Sequence, residues 1–447
     1  MTSLSTALQI ASGSLGATQV KLSVAANNIA NADTKGFTAK QTSQSALVTS
    51  GFGSGLSIER VLSNVSKFLL DDLLSATTAT VAAETQASYM DSLQKTFGAI
   101  TGPNGESTSL ASTIAKFEEA LTKLAGTPES ASLANSAVQA LQDVTRQLQK
   151  FSIKVDDQIL QADSQMDLGV KAANQAITEI HQINQQIRQA GASGQPSAEY
   201  EDKLNLALGK LSEQLGIKPF RAADGSVKVY SLSGQVLVDN SPHPLATSKD
   251  ANGHTRVSAN GADITGALNG GKLGGLAEVR DKMLPAYQET FHELAGNLIS
   301  GLNAVRPNLL VGTNARDITV NSTVLNNPKS MLGTTQPAKV ANALLDVMQK
   351  PTSFGAAGGI AAGNRTFSGY ANEILSKAVS ETNAEKAILA SARLELDTVS
   401  GTIASMHGVN VNEETANLAQ LKQLYSVSST VLKIIQEMFQ DLRAAVN

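Results

Sequence analysis

A glycine-framed loop before a lysine is the part of this sequence that could bind a nucleotide phosphate. Gly266, Gly271 and Lys272 have the spacing of a phosphate-binding loop, in which backbone N–H groups and the lysine hold the phosphates. The next position of such a loop is a Ser or Thr that binds magnesium, and here it is Leu273. Because no parallel βαβ pattern surrounds the segment, we interpret it as a turn that leads into a helix.

The histidines and a second glycine-rich run offer no catalytic arrangement either. The 5 histidines are far apart in the chain: His181, His243, His254, His292 and His407. His292-Glu293 is followed by Gly296 where a zinc protease motif needs a second histidine. The run 51–55 lacks the spacing of a nucleophile turn and predicts a loop. We therefore predict that the protein is not an enzyme, with no catalytic residue, no cofactor and no metal ligand.

Both ends of the chain carry one narrow apolar stripe at helical spacing. Apolar or small residues recur at alternating spacings of four and three, which is a heptad pattern. At the N-terminus the stripe comprises Leu4, Leu8, Ala11, Leu15, Thr18, Leu22, Ala25 and Ile29. At the C-terminus it comprises Leu418, Leu421, Tyr425, Ser428, Leu432, Ile435, Phe439, Leu442 and Val446. Asn410, followed by Glu413 and Glu414, has the pattern of a helix N-cap.

A helix with one narrow stripe needs a partner, because helix propensity alone leaves it marginally stable. Pairing the two ends would bury both stripes, and each buried Leu or Ile would contribute about 1.5–3 kcal/mol. We therefore predict that the N- and C-terminal helices pair as a coiled coil. This unit has no larger core of its own, so we expect neighbouring subunits to stabilise it.

Between the ends, the sequence predicts a mainly α-helical fold with a small inserted β domain. The periodic stretch 129–195 predicts one long helix or two stacked helices, 276–302 a helix bent at Pro285, and 370–406 another helix. Asp-Gly and Asn-Gly pairs within 218–269 predict hairpin turns. The predicted domains are a terminal coiled coil (1–40 with 408–447), a long helical-bundle body (41–216, 276–306 and 364–407) and a β-rich outer domain (217–275). The stretch 307–363 either completes the β-rich domain or crosses over it.

Composition sets broad limits on function. Charged residues make up 17% of the chain and the net charge is −4, so no basic surface indicates nucleic-acid binding. The chain has no cysteine, which excludes disulfides and thiolate metal sites. The first residues lack the pattern of a cleaved signal peptide, and no apolar run approaches the roughly 20 residues that span a bilayer. We therefore expect no membrane insertion.

The segment Ala26–Phe37 is rich in asparagine and ends in a glycine and an aromatic residue. It resembles the signature of the flagellar axial protein family of rod, hook and hook-associated proteins, although Lys35 stands where that family often has proline. Gly408–Leu418 resembles the second signature of the family. Ile180–Ile187 and Gly271–Tyr287 resemble segments of its hook–filament junction branch. A plain helix end would also explain the asparagines, but it would not explain two matching stripes.

The resemblance implies a ring of subunits that joins the hook to the filament outside the cell, placed there by signal-less flagellar type III export. The implied partners are other copies of this chain, the hook protein, a second junction protein (hook-associated protein 3), an export chaperone and the export apparatus. The predicted assembly interface comprises Leu4, Leu8, Leu15, Leu22, Asn27, Asn28, Ile29, Asn31, Gly36, Phe37, Leu418, Leu421, Tyr425, Leu432, Ile435, Phe439 and Leu442.

Other interpretations stay open at this point. A hook or distal-rod protein of the same family would be favoured by β-structure between residues 129 and 195. A secreted enzyme with a helical export region would need catalytic groups that converge in the β domain. An intracellular scaffold would be an ordinary coiled coil, although such a coiled coil rarely closes on its own distant terminus.

Overall fold

The computed structural model describes residues 2–34, 36–49, 52–63, 66–98, 109–193 and 195–446. Within these residues, long helices form most of the chain. The α-helices are α1 (Thr2–Ala30), α2 (Lys67–Phe97), α3 (Leu110–Gly126), α4 (Ala131–Ala192), α5 (Ala198–Gln214), α6 (Gly271–Glu278), α7 (Leu284–Val305), α8 (Ser322–Asn326), α9 (Pro337–Gln349), α10 (Phe367–His407) and α11 (Val411–Val446). The mainly helical fold class is confirmed.

The strands form small antiparallel sheets. They are β1 (Lys40–Thr49), β2 (Phe52–Ser63), β3 (Ile217–Arg221), β4 (Val227–Ser231), β5 (Val236–Val238), β6 (Leu245–Lys249), β7 (Thr255–Ala259), β8 (Ala262–Asp263), β9 (Leu310–Val311), β10 (Thr319–Val320), β11 (Thr352–Phe354) and β12 (Gly363–Arg365). Strands β3–β4–β5 and β6–β7–β8 form two three-stranded sheets, which confirms the inserted β region. The other strands pair as β1–β2, β9–β10 and β11–β12.

Helix α4 is one continuous helix of 62 residues, as one of the two predictions for this stretch requires. Ser130 caps its first turn by accepting a hydrogen bond from the Leu133 N–H. Residue 169, near the middle of the helix, is a glycine. A Cβ there would come within 2.8 Å of Leu273 Cδ2. The glycine therefore lets α6 pack closely against α4.

Two hydrophobic clusters share α4. The first surrounds its N-terminal half with α3, α7, α9 and the start of α10, and includes the ring of Phe97 packed at 5.2 Å from those of Phe151 and Phe291. The second joins its C-terminal half to α5, α6 and the sheets of β3–β8. Each fully buried large apolar side chain contributes about 1.5–3 kcal/mol, so these clusters hold the body together.

The stretch 307–363 packs with the helical body and not with the β3–β8 sheets. Its buried apolar residues belong to the first cluster: Leu309, Leu310, Ala315, Ile318, Val320, Val324, Met331, Leu332, Ala341, Leu344, Met348, Phe354 and Ile360. The suggestion that it completes the β-rich domain is therefore wrong, because its apolar residues face α3, α4 and α7. The wider division into three domains stays a prediction.

Strands β1 and β2 form a hairpin where the sequence predicts part of the helical body. The predicted loop at 51–55 is also wrong for Phe52–Gly55, which lie in β2, while Gly51 lies outside the described residues. Glycines lower strand propensity, which hides the strand from sequence analysis. The register shift between Leu47 and Val48 lies opposite Gly53 and Gly55, where a bulge is easily accommodated.

The predicted bend at Pro285 takes the form of a π-helical turn. Residues Val279–Met283 form this turn between α6 and α7, and Pro285 lies in the first turn of α7. Proline has no N–H to donate, so it is tolerated at the start of a helix and disrupts the hydrogen bonds before it. The irregular turn carries Arg280 into the protein interior, where it is 3% exposed.

Candidate functional site

Helices α1 and α11 pack against each other along the stripes that the heptad pattern predicts. Leu421 and Ile435 are the most buried side chains of α11, with exposed fractions of 6% and 8%. Other predicted stripe residues are half-buried: Leu4, Leu8, Leu15, Leu22, Ile29, Leu418, Leu432 and Phe439. Tyr425 and Leu442 lie at the margin, with 37% and 42% exposed. The coiled coil of the two ends is confirmed, whereas an assembly role for these residues stays a prediction.

Asn28 of the asparagine-rich signature joins three separate segments. Its Nδ2 donates to the Lys40 carbonyl (3.0 Å) and to Glu414 Oε1 (2.7 Å), and its Oδ1 accepts from the Lys40 N–H (2.9 Å). The side chain thus links α1 to β1 and to the first turn of α11. The sequence predicts an interface position for Asn28. The residue is 1% exposed, however, and its side-chain amide forms these hydrogen bonds within its own chain.

The rest of the signature ends α1 and turns the chain towards α5. Asn31 Nδ2 donates to the Asn27 carbonyl at 3.0 Å, and Thr34 Oγ1 donates to Asn31 Oδ1 at 3.3 Å. Gly36 has φ +78°, a left-handed conformation that favours glycine, and a Cβ there would lie 2.4 Å from Leu206 Cδ2. Lys35 lies outside the described residues. Local hydrogen bonds and one glycine therefore fix the exit from α1.

A buried ion pair connects this turn to the body. The Lys40 ammonium contacts the Asp202 carboxylate on α5, and the two side chains are 4% and 10% exposed. Thr38 Oγ1 donates to Asp202 Oδ1 at 2.7 Å, and the ring centroid of Phe37 lies 5.0 Å from Lys40 Nζ. Sequence analysis missed this pair, because the two residues lie far apart in the chain and no motif connects them.

Helix α11 also carries a second apolar stripe, which sequence analysis missed. Its members keep the alternation of three and four but are all exposed: Leu424 (55%), Val427 (56%), Val431 (43%), Ile434 (50%) and Met438 (51%). Successive residues on a helix are about 100° apart, so this stripe borders the first stripe on the helix surface. The signal was present in the sequence, since each of these five residues stands one position before a member of the first stripe.

The glycine-framed loop before Lys272 brings α6 close to its neighbours. Gly270 has φ +71°, and a Cβ there would lie 2.3 Å from Thr78 Cγ2 on α2. A Cβ on Gly271 would lie 2.6 Å from the Gln214 carbonyl carbon at the end of α5. These glycines serve close backbone packing, which explains their spacing without a phosphate.

We expect that neither the wild type nor Lys272→Ala binds a nucleotide, and that the substitution leaves the stability almost unchanged. Lys272 Nζ donates to Gln165 Oε1 at 2.8 Å, a partly exposed bond whose loss should cost about 1 kcal/mol or less. Isothermal titration with ATP and magnesium should show no saturable heat for either protein. Saturable binding by the wild type that Lys272→Ala abolishes would contradict this expectation.

Arg280 forms a buried network between α4, β7 and the π-helical turn. Its Nη1 donates to Asp163 Oδ1 at 2.7 Å, and its Nε donates to Asp281 Oδ1 at 2.7 Å. The Thr255 N–H donates to the same Asp163 oxygen at 2.9 Å. Burial alone would raise the pKa of Asp163, but the bonds from Thr255 and Arg280 outweigh it and hold that pKa below its usual value. The network fastens the β6–β7–β8 sheet to α4.

Two of the histidines each lie close to an aspartate. His243 Nε2 lies 3.0 Å from Asp239 Oδ1, and His254 Nδ1 lies 3.3 Å from Asp163 Oδ2. Across the described ranges, no group of three or more His, Asp or Glu side chains is placed to hold a metal ion. In the same part of the chain, no helix is both long and apolar enough to cross a membrane.

Two family models match the chain. The model described as the flagellar hook-associated protein FlgK helical domain matches residues 103–314, a stretch that contains α3 to α7 and the β3–β8 sheets. This stretch, just under half of the chain, is similar to the FlgK helical domain. The model described as flagella basal body rod protein matches residues 8–38, which contain the signature at the end of α1. The resemblance of both regions to flagellar axial proteins is thereby confirmed.

Relatives in the FlgK family are similar over much of the chain. Flagellar hook-associated protein 1 of Salmonella typhimurium is 23% identical over 320 residues, which cover 67% of this chain and 56% of the relative. That of Bacillus subtilis is 24% identical over 299 residues, covering 62% and 57%. The flagellar hook junction protein FlgK from Burkholderia pseudomallei, a solved structure, is 25% identical with a TM-score of 0.47, covering 54% of this chain and 44% of that one. The chain spans just over half the length of the curated relatives that it matches.

Proposed function

We propose that this chain is a structural subunit of the bacterial flagellum that forms a ring between hook and filament. Its partners would be neighbouring copies, the hook protein, the second junction protein, an export chaperone and the export apparatus. It would act outside the cell, after flagellar type III export, and it would catalyse no reaction. The names of its relatives in the FlgK family support this assignment.

The second apolar stripe of α11 is the observation that carries the proposal. The first stripe is already used in the pairing with α1, yet Leu424, Val431, Ile434 and Met438 remain exposed on the adjoining face. Soluble monomers rarely expose such a continuous apolar row, and large exposed apolar surfaces mark sites of protein association. A helix that pairs within its own chain and still presents a second row suits a subunit that packs against other subunits.

Two structural features weigh against the other interpretations. A hook or distal-rod protein would be favoured by β-structure in 129–195, whereas α4 is helical from Ala131 to Ala192. A nucleotide-dependent enzyme would need an open phosphate loop, whereas Gly270 and Gly271 pack against Thr78 and the end of α5. Both features support a structural member of the hook-associated group.

An aspartate on the second stripe tests the proposed function. We expect Ile434→Asp to leave melting and secretion of the free protein unchanged, because Ile434 is 50% exposed and lies off the α1–α11 seam. The variant should not enter the ring, since a subunit contact would bury its charge. Cells should then carry hooks without filaments and release filament protein into the medium, as electron microscopy and immunoblotting of the medium would show.

Gln436→Asp is the matched control, because this exposed residue lies about 200° around α11 from Ile434. It introduces the same carboxylate and should support normal filaments. Motile cells with full filaments from the Ile434→Asp strain would contradict the proposal that this face assembles. Loss of filaments in both strains would show a general intolerance of charge in α11 and would equally contradict it.

A further inference from the structure

Four polar side chains connect α11 to the body in a continuous series. Glu414 on α11 accepts from Asn28, the Asn28 amide bonds the backbone of Lys40, and the Lys40 ammonium pairs with Asp202 on α5. Asn28, Lys40 and Asp202 are 1%, 5% and 7% exposed, so water competes little for these bonds. Thr38 Oγ1 also donates to Asp202, at 2.7 Å. We name Glu414, Asn28, Lys40 and Asp202 the polar relay.

The hydrophobic clusters do not extend across this junction. Among the residues whose burial is described, neither cluster includes a member of α1, β1, β2 or α11. An apolar contact across the junction is that of Leu206 with Gly36, and Leu206 itself is 41% exposed. Apolar contacts are not directional, whereas hydrogen bonds and ion pairs hold their partners within narrow limits of distance and angle. Among the described contacts, the direction of the paired helices therefore depends on polar bonds, which include the bond from the Ala39 N–H to the His407 carbonyl at 2.8 Å.

We propose that Lys40 and Asp202 are positioning residues that set the direction of the α1–α11 pair relative to the body. Asn28 carries this constraint to α1, and Glu414 carries it to α11. The inference rests on the proposed function, because a subunit can close a ring only if its terminal helices leave the body in one direction. By this inference, the asparagine-rich signature positions the terminal helices within one subunit, before that subunit contacts any other.

If Lys40 and Asp202 only stabilised the protein, their substitution would give a different result from the one proposed. Replacing both members of a buried ion pair by apolar residues is often neutral for stability, although it removes a directional bond. The double variant Lys40→Met with Asp202→Leu should therefore keep its melting temperature yet lose the fixed direction of the helices. Direction and stability can thus be measured separately.

The experiment measures distances between two spin labels on the full chain. The chain contains no cysteine, so Gln182→Cys on α4 and Gln423→Cys on α11, both exposed positions, give two specific labelling sites. Double electron–electron resonance should show one narrow distance peak in the otherwise unchanged protein. Asp202→Asn and the double variant should both lose that narrow peak. The double variant should keep the melting temperature of the body in circular dichroism, whereas Asp202→Asn should lower it, because the Lys40 charge would stay buried without its partner.

Glu201→Gln is the matched control for Asp202→Asn. Glu201 is the neighbouring residue on α5, but its carboxylate lies 3.5 Å from Arg221 within the body, so the narrow peak should persist. A broad distribution in the unsubstituted chain, or a narrow peak in Asp202→Asn and the double variant, would overturn the inference. Because these outcomes concern the isolated subunit, they are distinguishable from failure of the proposed function, which Ile434→Asp tests in cells.

Discussion

Replacing Arg280 with methionine should lower the free energy of unfolding by about 3–5 kcal/mol, because Asp163 would stay buried without its cation. The side chains of Arg280 and Asp163 are 2% and 6% exposed, so water cannot replace the lost bond. The β6–β7–β8 sheet should loosen from α4 first, since Thr255 shares the Asp163 oxygen. Urea denaturation followed by circular dichroism would measure the change.

Lys282→Met is the control for this experiment. Lys282 lies two residues after Arg280 and pairs with Glu278, but its side chain is 72% exposed, so its loss should cost less than about 1 kcal/mol. Equal denaturation midpoints for the two variants would show that the buried network does not hold the sheet.

The effect of Arg280→Met should also depend on pH. The folded-state pKa of Asp163 is held below its usual value, so the ionised carboxylate contributes stability above that usual value. This contribution is lost as the pH falls through the folded-state pKa. The difference between the wild type and Arg280→Met should therefore shrink below about pH 4.

The elements that sequence analysis found are those with a local repeating pattern. The stripe from Leu418 to Leu442 and the long helix α4 follow from helical periodicity alone, because burial on one face repeats every three or four residues. The hairpins of β3–β8 follow from their turn residues, such as Asp224-Gly225 and Asn252-Gly253.

The contacts that it missed are those between distant residues. Asp202 lies in an ordinary amphipathic helix, and no pattern near it indicates that Lys40 will be buried beside it. The role of Asn28 depends on Glu414, at the opposite end of the chain. Arg280 and Asp163 likewise meet only after α4 and the π-helical turn have packed together. Such pairings are set by tertiary structure, which the single sequence does not display.

The second stripe of α11 was missed for a different reason. Its spacing is visible, but a heptad analysis that looks for one partner stops at the first complete stripe. Leu421 lies on the buried stripe and Leu424 on the exposed one. Both are leucines, and each is at heptad spacing with the other members of its own stripe. Only the packing of α11 against α1 distinguishes the stripe used within the chain from the stripe left for other contacts.

Ile435→Asp should separate the pairing of the chain ends from the folding of the body. Ile435 is 8% exposed in the α1–α11 seam, and an unpaired carboxylate there should cost several kcal/mol. The body should keep its melting transition, because no α11 residue whose burial is described belongs to either hydrophobic cluster. The terminal helices should lose helical circular dichroism and become sensitive to limited proteolysis, which Ile434→Asp should not cause.

In cells, the Ile435→Asp protein should still be exported but should fail to join the hook, leaving hooks without filaments and filament protein in the medium. The two neighbouring isoleucines would then fail for different reasons: Ile435→Asp because the subunit cannot present its paired helices, and Ile434→Asp because its exposed row cannot pack. Lys433→Asp, at a position 77% exposed on the far side of α11, should assemble normally. Full-length filaments in the Ile435→Asp strain, with the variant located at the hook–filament boundary, would falsify the requirement for pairing, because assembly would then tolerate a charge in the seam.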